Sequence, residues 1–315
     1  MELIDKRNIV EIGGGSGHMA RILAKTAAKV TVFEPCRQLT RKMLPEPGIE
    51  LHSTTFPGPA LDSKQNLVIC RQVIEHVADP KSMIREFRNV LTDDGHLYIE
   101  APDLDYIVRS GAYLDIHIQH VHYYSRDILR AIIESLGFEL IRDINIKDGH
   151  DVGMLFKVAE VPNELRLPPS EWGDNDRTFR ERIHEQIERT RSTLSSLNCP
   201  IGIYGATLHG QSFLNIIPED VKLVAAFDDN ELVQRHSLYN RFQRIDVFPP
   251  EQSHIALCGA IIITAYLHDE EIAARLRAKG FEGEIYSTRP MSIESNSWNL
   301  RGMPINAKSP ESVIC

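Results

Sequence analysis

Residues 8–17, read as Asn-Ile-Val-Glu-Ile-Gly-Gly-Gly-Ser-Gly, constrain the fold of this chain more than any other stretch. A β-branched run from Ile9 to Ile12 breaks into glycines, and Met19, Ile22 and Leu23 then follow at helical spacing. The pattern predicts a strand, a tight turn and a helix. Glycines at such a turn let backbone N–H groups and the helix N-terminus come close to a bound cofactor. The spacing Glu11-x-Gly13-x-Gly15-x-Gly17 departs from the dinucleotide fingerprint G-x-G-x-x-G/A. In the register beside the strand, His18 stands where the third glycine belongs. The register that does fit, Gly15-x-Gly17-x-x-Ala20, is detached from the strand end. A purely structural turn is the plainer alternative.

The first half goes on to alternate strand and helix patterns. Residues 30–34 read as a second strand, followed by a helix to about Met43. Strands are expected at 49–53 and 67–70, then a helix with Met83, Ile84, Phe87 and Leu91 on its apolar face, ended by Asp93-Asp94-Gly95. A strand at 97–100, a helix at 125–136 and strands at 139–146 and 154–159 complete this part. Such alternation argues for a doubly wound, mostly parallel α/β sheet. Pro162, Pro168 and Pro169 interrupt it, and 177–197 reads as one long charged helix. Ile201–Tyr204 then restarts the strand-and-glycine theme as Gly202-Ile-Tyr-Gly205-Ala-Thr-Leu-His-Gly210. Strands at 223–228, 260–264 and Glu284–Ser287 and a helix at 269–279 make a smaller α/β domain, with a loose polar tail after Arg289. The expected division is 1–160, a Pro-rich linker and long helix at 161–198, and a second domain at 199–315.

A chain of 315 residues can bury two cores. Its net charge of −9, with no basic run, argues against nucleic acid as a partner. No apolar segment reaches membrane-spanning length, and the start, Met1-Glu-Leu-Ile-Asp5, lacks a signal peptide's basic and apolar regions. Cys36, Cys70, Cys199, Cys258 and Cys315 are scattered without C-x-x-C spacing, which reads as reduced thiols in a cytoplasm and no zinc site.

Chemistry concentrates in Asp115-Ile-His117-Ile-Gln119-His120-Val-His122-Tyr123-Tyr124-Ser125. This connection follows the fifth strand, and ligand crevices of open α/β sheets lie beyond the strands' carboxyl ends. A histidine there can take a proton near neutral pH, and tyrosine hydroxyls can orient a substrate or stabilise an oxyanion. Three close histidines also raise metal binding, but no carboxylate or cysteine pattern accompanies them, and packing at a domain interface is the bland alternative. Glu34 follows the glycine turn by about twenty residues, where a carboxylate can accept from a ribose diol; the alternative is a solvated strand-end acid. Glu75-His76 is read as framing the cofactor.

Glu11-Ile-Gly-Gly-Gly-Ser-Gly17, Glu34 and Gln72-Val-Ile-Glu-His-Val-Ala-Asp-Pro80 together resemble a class I S-adenosylmethionine (SAM) methyltransferase. The loop at 116–125 resembles that of the sugar C-methyltransferases, with His120 at that family's second histidine and Tyr123-Tyr124-Ser125 at its aromatic triplet. The stretch from Gly202 and Gly210 through Asp228 to Glu270 is similar to the family's carboxy-terminal domain. The resemblance covers roughly residues 8–288. It implies a Rossmann-like methyltransferase sheet, a second Rossmann-like domain, and SAM held by Glu11, Gly13, Gly15, Gly17, Glu34, Glu75 and His76. It further implies methylation of a carbon beside the ketone of a nucleotide-linked keto-deoxy sugar. His120 is the expected base, with His117, Gln119, Tyr123 and Tyr124 around it and Tyr204, Gly205, Gly210 and Asp228 on the substrate side. The family's cysteine-rich amino-terminal zinc domain is expected to be absent. His117 stands in place of tyrosine, Gln119 of glutamate and His209 of lysine. Gln119 can hydrogen-bond but cannot stabilise an imidazolium as glutamate would. The alternatives are O- or N-methylation of a small activated metabolite, or a module that binds SAM or nucleotide sugar without turnover.

Overall fold

The structure, a computed structural model, describes residues 3–41, 46–59, 61–168, 172–290 and 301–302. The chain divides into two units, Met1–Tyr106 with Ile118–Ser170, and Ile107–His117 with Glu171–Cys315. The segment Ile107–His117 therefore goes with the second unit, inside the range that the sequence assigns to the first domain.

The first unit starts with β1 (Asn8–Ile12), α1 (His18–Leu23), β2 (Lys29–Phe33), α2 (Arg37–Thr40), β3 (Ile49–His52) and β4 (Gln65–Arg71). It continues with α3 (Pro80–Val90), β5 (Leu91–Pro102), α4 (Leu104–Ser110), which begins in this unit and passes into the second at Ile107, and then α5 (Arg126–Glu134), β6 (Phe138–Ile146) and β7 (Asp151–Val158). The seven strands lie in the order β3-β2-β1-β4-β5-β7-β6. β7 runs antiparallel to β5, and β6 antiparallel to β7. The other neighbours are parallel. Ile9, Val30, Val32, Leu67 and Ile69 pack on one face of the sheet, and Val10, Ile12, Val68, Cys70, Leu97 and Ile99 on the other. That is the apolar burial on both sides that parallel strands require.

Asp79 begins α3 by accepting the Ser82 N–H at 3.1 Å ahead of Pro80, whose missing N–H costs nothing at a helix start. The end of α3 differs from the sequence expectation. Leu91 is the first residue of β5, and Asp93-Asp94-Gly95 lies within that strand. Leu91 pairs with Gln65 and His96 with Leu67, so the intervening residues form an irregularity in the strand. The chain passes straight from helix into strand with no separate turn. The helix expected to reach Met43 ends at Thr40, and Met43 lies outside the described residues. α4 carried no sequence signal of its own.

In the second unit the long helix is α6 (Trp172–Ser196). It leads to β8 (Ile201–Tyr204), α7 (Leu208–Leu214), β9 (Leu223–Phe227), β10 (Ser237–Tyr239), β11 (Arg244–Phe248) and α8 (Gln252–Ile255). β12 (Ala260–Ile263), α9 (Asp269–Ala278), β13 (Glu284–Ser287) and β14 (Arg301–Gly302) follow. The sheet order is β10-β11-β9-β8-β12-β13-β14. It is parallel except for its two edge strands, β10 and β14. β10, β11, α7 and α8 had not been anticipated, nor had β14, which pairs with β13 from within the tail expected to be loose. Most of the tail after Arg289 falls outside the described residues. Among the described residues, no helix is long and apolar enough to cross a membrane.

Candidate functional site

The turn after β1 takes its shape from glycines with φ of +73° at Gly13, +55° at Gly15 and +79° at Gly17, backbone that side-chain-bearing residues rarely adopt. A Cβ on Gly13 would stand 2.3 Å from Cγ2 of Val73, so this glycine lets the turn pack under the segment after β4. Gly15 is different, because nothing lies within 4 Å of the place its Cβ would take. The open space above it suits a ligand lying against the backbone. Glu34, the residue after β2, closes the turn from the side. Its Oε2 accepts the Gly15 N–H and its Oε1 the Cys36 N–H, both at 2.8 Å. The carboxylate is thus fixed while each oxygen keeps lone-pair capacity for a ribose diol. Turn and acid fit SAM, and Glu34 is no solvated surface residue, being 6% exposed.

Glu11, on β1 below the turn, is buried, and its Oε2 has no hydrogen-bond partner among the described residues. Burial pushes its carboxyl up to about 7, against the opposing charge of Arg71. An ordinary carboxyl in the unfolded chain titrates near 4.5, so the folded protein holds an extra proton between those values. Stability conferred by this proton is full below about pH 4.5 and is lost as pH rises through 7. The melting temperature should therefore be lower at alkaline than at mildly acid pH, and Glu11→Gln should narrow the gap. A gap unchanged by the substitution would mean that Glu11 ionises at its usual pH.

The second part of the site is the turn after β4, where Ile74–His76 forms a single 3₁₀ turn. Glu75 is 2% exposed, and neither of its carboxylate oxygens has a hydrogen-bond partner among the described residues. Burial pushes it up to about 7 as well. Its main-chain carbonyl accepts the N–H groups of Val121 and His122 at 3.0 and 3.1 Å. His76 Nδ1 donates to the Gln119 carbonyl at 2.7 Å, because a carbonyl can only accept, so Nε2 is the nitrogen facing Glu75 Oε1 at 3.9 Å. These bonds bring His120 in from the following loop. Its ring meets that of His76 edge-on at 4.9 Å and that of Tyr123 at 5.8 Å. Glu75, His76 and His120 each place a ligand-type atom within 4.8 Å of the others, an arrangement able to share a proton or a small cation. The carboxylate that the sequence did not offer to these histidines is thus supplied by the fold.

Other expected site residues are spread more widely. Tyr124 is buried, paired with Asp103 and stacked on His122 at 5.8 Å, and burial raises its phenol far above the usual range. Gln119 contributes its carbonyl while its side chain is exposed. His117 falls in the second unit, where its ring lies 6.4 Å from that of His209. In that unit His209 Nε2 lies 2.9 Å from Asp115, which also accepts from the Tyr266 hydroxyl at 2.5 Å.

The sequence reading missed a buried polar network beside Glu75. Gln72, at φ +53°, donates from its amide to Asp151 at 2.9 Å, and Arg71 donates to Glu100 at 3.0 Å. Burial opposes the charge of Asp151, but His150 and Lys147 hold its carboxyl below the usual range. Only the position of Glu100 at a strand's carboxyl end could have flagged this cluster.

In the second unit, Asp228 repeats the device seen at Glu34. It accepts the Ala206 N–H at 3.0 Å from the turn after β8 and the Asn230 N–H at 2.9 Å. Gly205 and Gly210 are explained by packing, since a Cβ on Gly205 would meet the Ala265 nitrogen at 2.8 Å and one on Gly210 the Gly205 oxygen at 2.2 Å. The Tyr204 hydroxyl donates to Asp229 at 2.9 Å, which Arg275 also holds. An open cavity of about 950 Å³ lies beside this acid pair, lined by Asp229, Gln234, Arg235 and Phe248 among others.

A methyltransferase-domain family matches residues 2–143. C-methyltransferase NovU of Streptomyces niveus is 22% identical over 293 residues, covering 86% of this chain and 69% of that protein. A ubiquinone biosynthesis O-methyltransferase of Yersinia enterocolitica is 32% identical over 104 residues, covering 30% of this chain. The match spans 42% of that relative's length, less than half. A SAM-dependent methyltransferase structure from Mesorhizobium loti aligns with half of the chain (50%, and 93% of its own) at 12% identity and a TM-score of 0.44. With a glycine turn and acid that fit SAM, and a methyltransferase-domain family match over residues 2–143, the first unit is a SAM-dependent methyltransferase domain, and the chain as a whole resembles the C-methyltransferases.

Proposed function

We propose that the enzyme methylates a carbon beside the ketone of a nucleotide-linked keto-deoxy sugar. One observation carries this reading: the likeness to a C-methyltransferase runs through both units, whereas that to the Yersinia O-methyltransferase covers 30% of the chain. When bound, SAM supplies an electrophilic methyl group. Glu34 would accept from its ribose diol, and the turn at Gly13, Gly15 and Gly17 would hold it. Glu11, Glu75 and His76 frame the cofactor side of the site. His120 takes the acidic proton alpha to the carbonyl, and Tyr123 and Tyr124 orient the substrate. The nucleotide portion is read by the second unit through Asp228, with Tyr204, Gly205 and Gly210 shaping its turn. The scattered thiols agree with a cytoplasmic setting.

Purified protein, SAM and a panel of nucleotide-linked keto sugars should give a product heavier by one methyl group by mass spectrometry, with the new carbon–carbon bond seen by NMR. A methyl found only on oxygen would replace this reading with O-methylation, which the Yersinia relative favours. On the cofactor side, calorimetry should show SAM and S-adenosylhomocysteine binding and no NAD binding. Glu34→Ala should weaken SAM by ~1–3 kcal/mol, the usual cost of losing a charged hydrogen-bond partner. Asp228→Ala should raise the KM for the sugar nucleotide and leave SAM affinity alone; an unchanged KM would reduce the second unit to a structural role.

A further inference from the structure

We propose that Glu75 is the positioning carboxylate of the base, holding the His120 ring and balancing its charge once it has taken the substrate proton. The inference rests on the proton-abstraction reading above and assigns a role that the loop's own sequence leaves empty.

An imidazole that accepts a proton in a partly buried site becomes a cation, and that cation needs a nearby anion. Gln119, next to His120, is a neutral amide with an exposed side chain. Glu75 meets the requirement. Its carboxyl lies among the atoms gathered within 4.8 Å of one another around His120. It is buried, and neither oxygen has a hydrogen-bond partner among the described residues. A buried carboxyl left this way is costly, and such groups concentrate where chemistry uses them. Packing alone does not account for it, since an apolar side chain would fill the place without that cost.

The same residue also fastens the loop. Its carbonyl holds the N–H groups of Val121 and His122, while His76 holds Gln119 and lays its ring edge-on against His120. Ring and carboxyl are thus set by one short turn. Besides His120, the titratable groups around Glu75 are His76, Cys70, Tyr124, Glu100, Asp151 and Lys147. Burial and the charges of Asp151 and Glu100 favour its protonated form, and the residue's own nearby main-chain N–H and Lys147 oppose them.

In the reaction, the substrate C–H bond breaks and its electron pair forms the bond to the transferred methyl carbon. The proton goes to His120, and the electrons of the broken sulfur–methyl bond stay on S-adenosylhomocysteine. The Glu75 carboxylate balances the imidazolium until solvent takes the proton.

The test uses the full-length enzyme with Glu75→Gln, which keeps the shape of the side chain, and Glu75→Asp, which keeps the charge. Glu75→Gln should lower kcat roughly 10- to 100-fold, at the low end of what a general base contributes. The KM for the acceptor should stay within about twofold, because its uniform binding is untouched. The acid limb of the kcat profile, and the His120 titration followed by NMR, should move to lower pH, since an imidazolium without its counter-ion loses its proton more readily. Glu75→Asp should recover part of the rate. An unchanged His120 titration in a folded Glu75→Gln protein would overturn the pairing. So would one equivalent of tightly bound metal whose removal abolishes activity, because His120 would then be a ligand. The NMR titration needs no turnover, so oxygen methylation could sink the carbon-acid reading while the pairing itself is judged separately.

Discussion

His120→Ala is expected to abolish methylation while leaving SAM affinity nearly unchanged. The predicted loss is ~100- to 10,000-fold in rate, the range for removing a general base. The loop itself should hold, because backbone hydrogen bonds at 119, 121 and 122 fasten it to Glu75 and His76. Wild-type activity should rise with pH as the imidazole loses its proton and becomes able to accept another. A sharper readout is exchange of the substrate's acidic C–H with heavy water in the presence of S-adenosylhomocysteine. That exchange requires proton abstraction and no methyl transfer, so the variant should lose it along with turnover. Persistence of both would move the base elsewhere, with His122 the next imidazole in the first unit to examine.

Gly210→Ala should destabilise the second unit by about 3 kcal/mol, at the upper end of the usual cost of overpacking. The new methyl carbon would stand 2.2 Å from the Gly205 carbonyl oxygen, and a backbone oxygen cannot rotate aside as a side chain can. Gly205 is itself pinned, since its carbonyl accepts the Thr264 hydroxyl at 2.7 Å and its φ is +101°. Denaturant unfolding followed by the fluorescence of second-unit probes should show the loss directly. Stability equal to wild type, with weakened substrate binding, would instead make Gly210 a residue that a ligand approaches.

The glycine turns and the alternation of strands and helices were legible because both follow from local chemistry. β-branched runs, positive-φ glycines and period-3.6 apolar spacing need no partner from elsewhere to be recognised. Glu34 was legible for a related reason: one helix separates it from the turn it closes. Leu91 shows where this fails. Its apolar side chain continues the face set by Met83, Ile84 and Phe87, but a buried strand residue looks the same, and its pairing with Gln65 is visible only in the sheet. The Glu75–His120 cluster failed in another way. Its members are remote in sequence and are joined by main-chain hydrogen bonds, which no side-chain spacing encodes. His117, two residues before Gln119, falls in the second unit, where His209 lies beside its ring, a neighbour that the local spacing does not announce.

The loop that carries His120 is held by its main chain, and this frees its neighbouring side chains to vary. Ile118 is 93% exposed and Val121 55% exposed, and Gln119 also faces outward. Exchanging these residues would leave the hydrogen bonds that fasten the loop in place. The scaffold thus separates the part that must be inherited from the part that can drift, and relatives could acquire new acceptors without passing through a misfolded ancestor. A library randomised at Ile118, Gln119 and Val121 should be rich in folded, SAM-binding variants, and changes of acceptor preference should be sought there first.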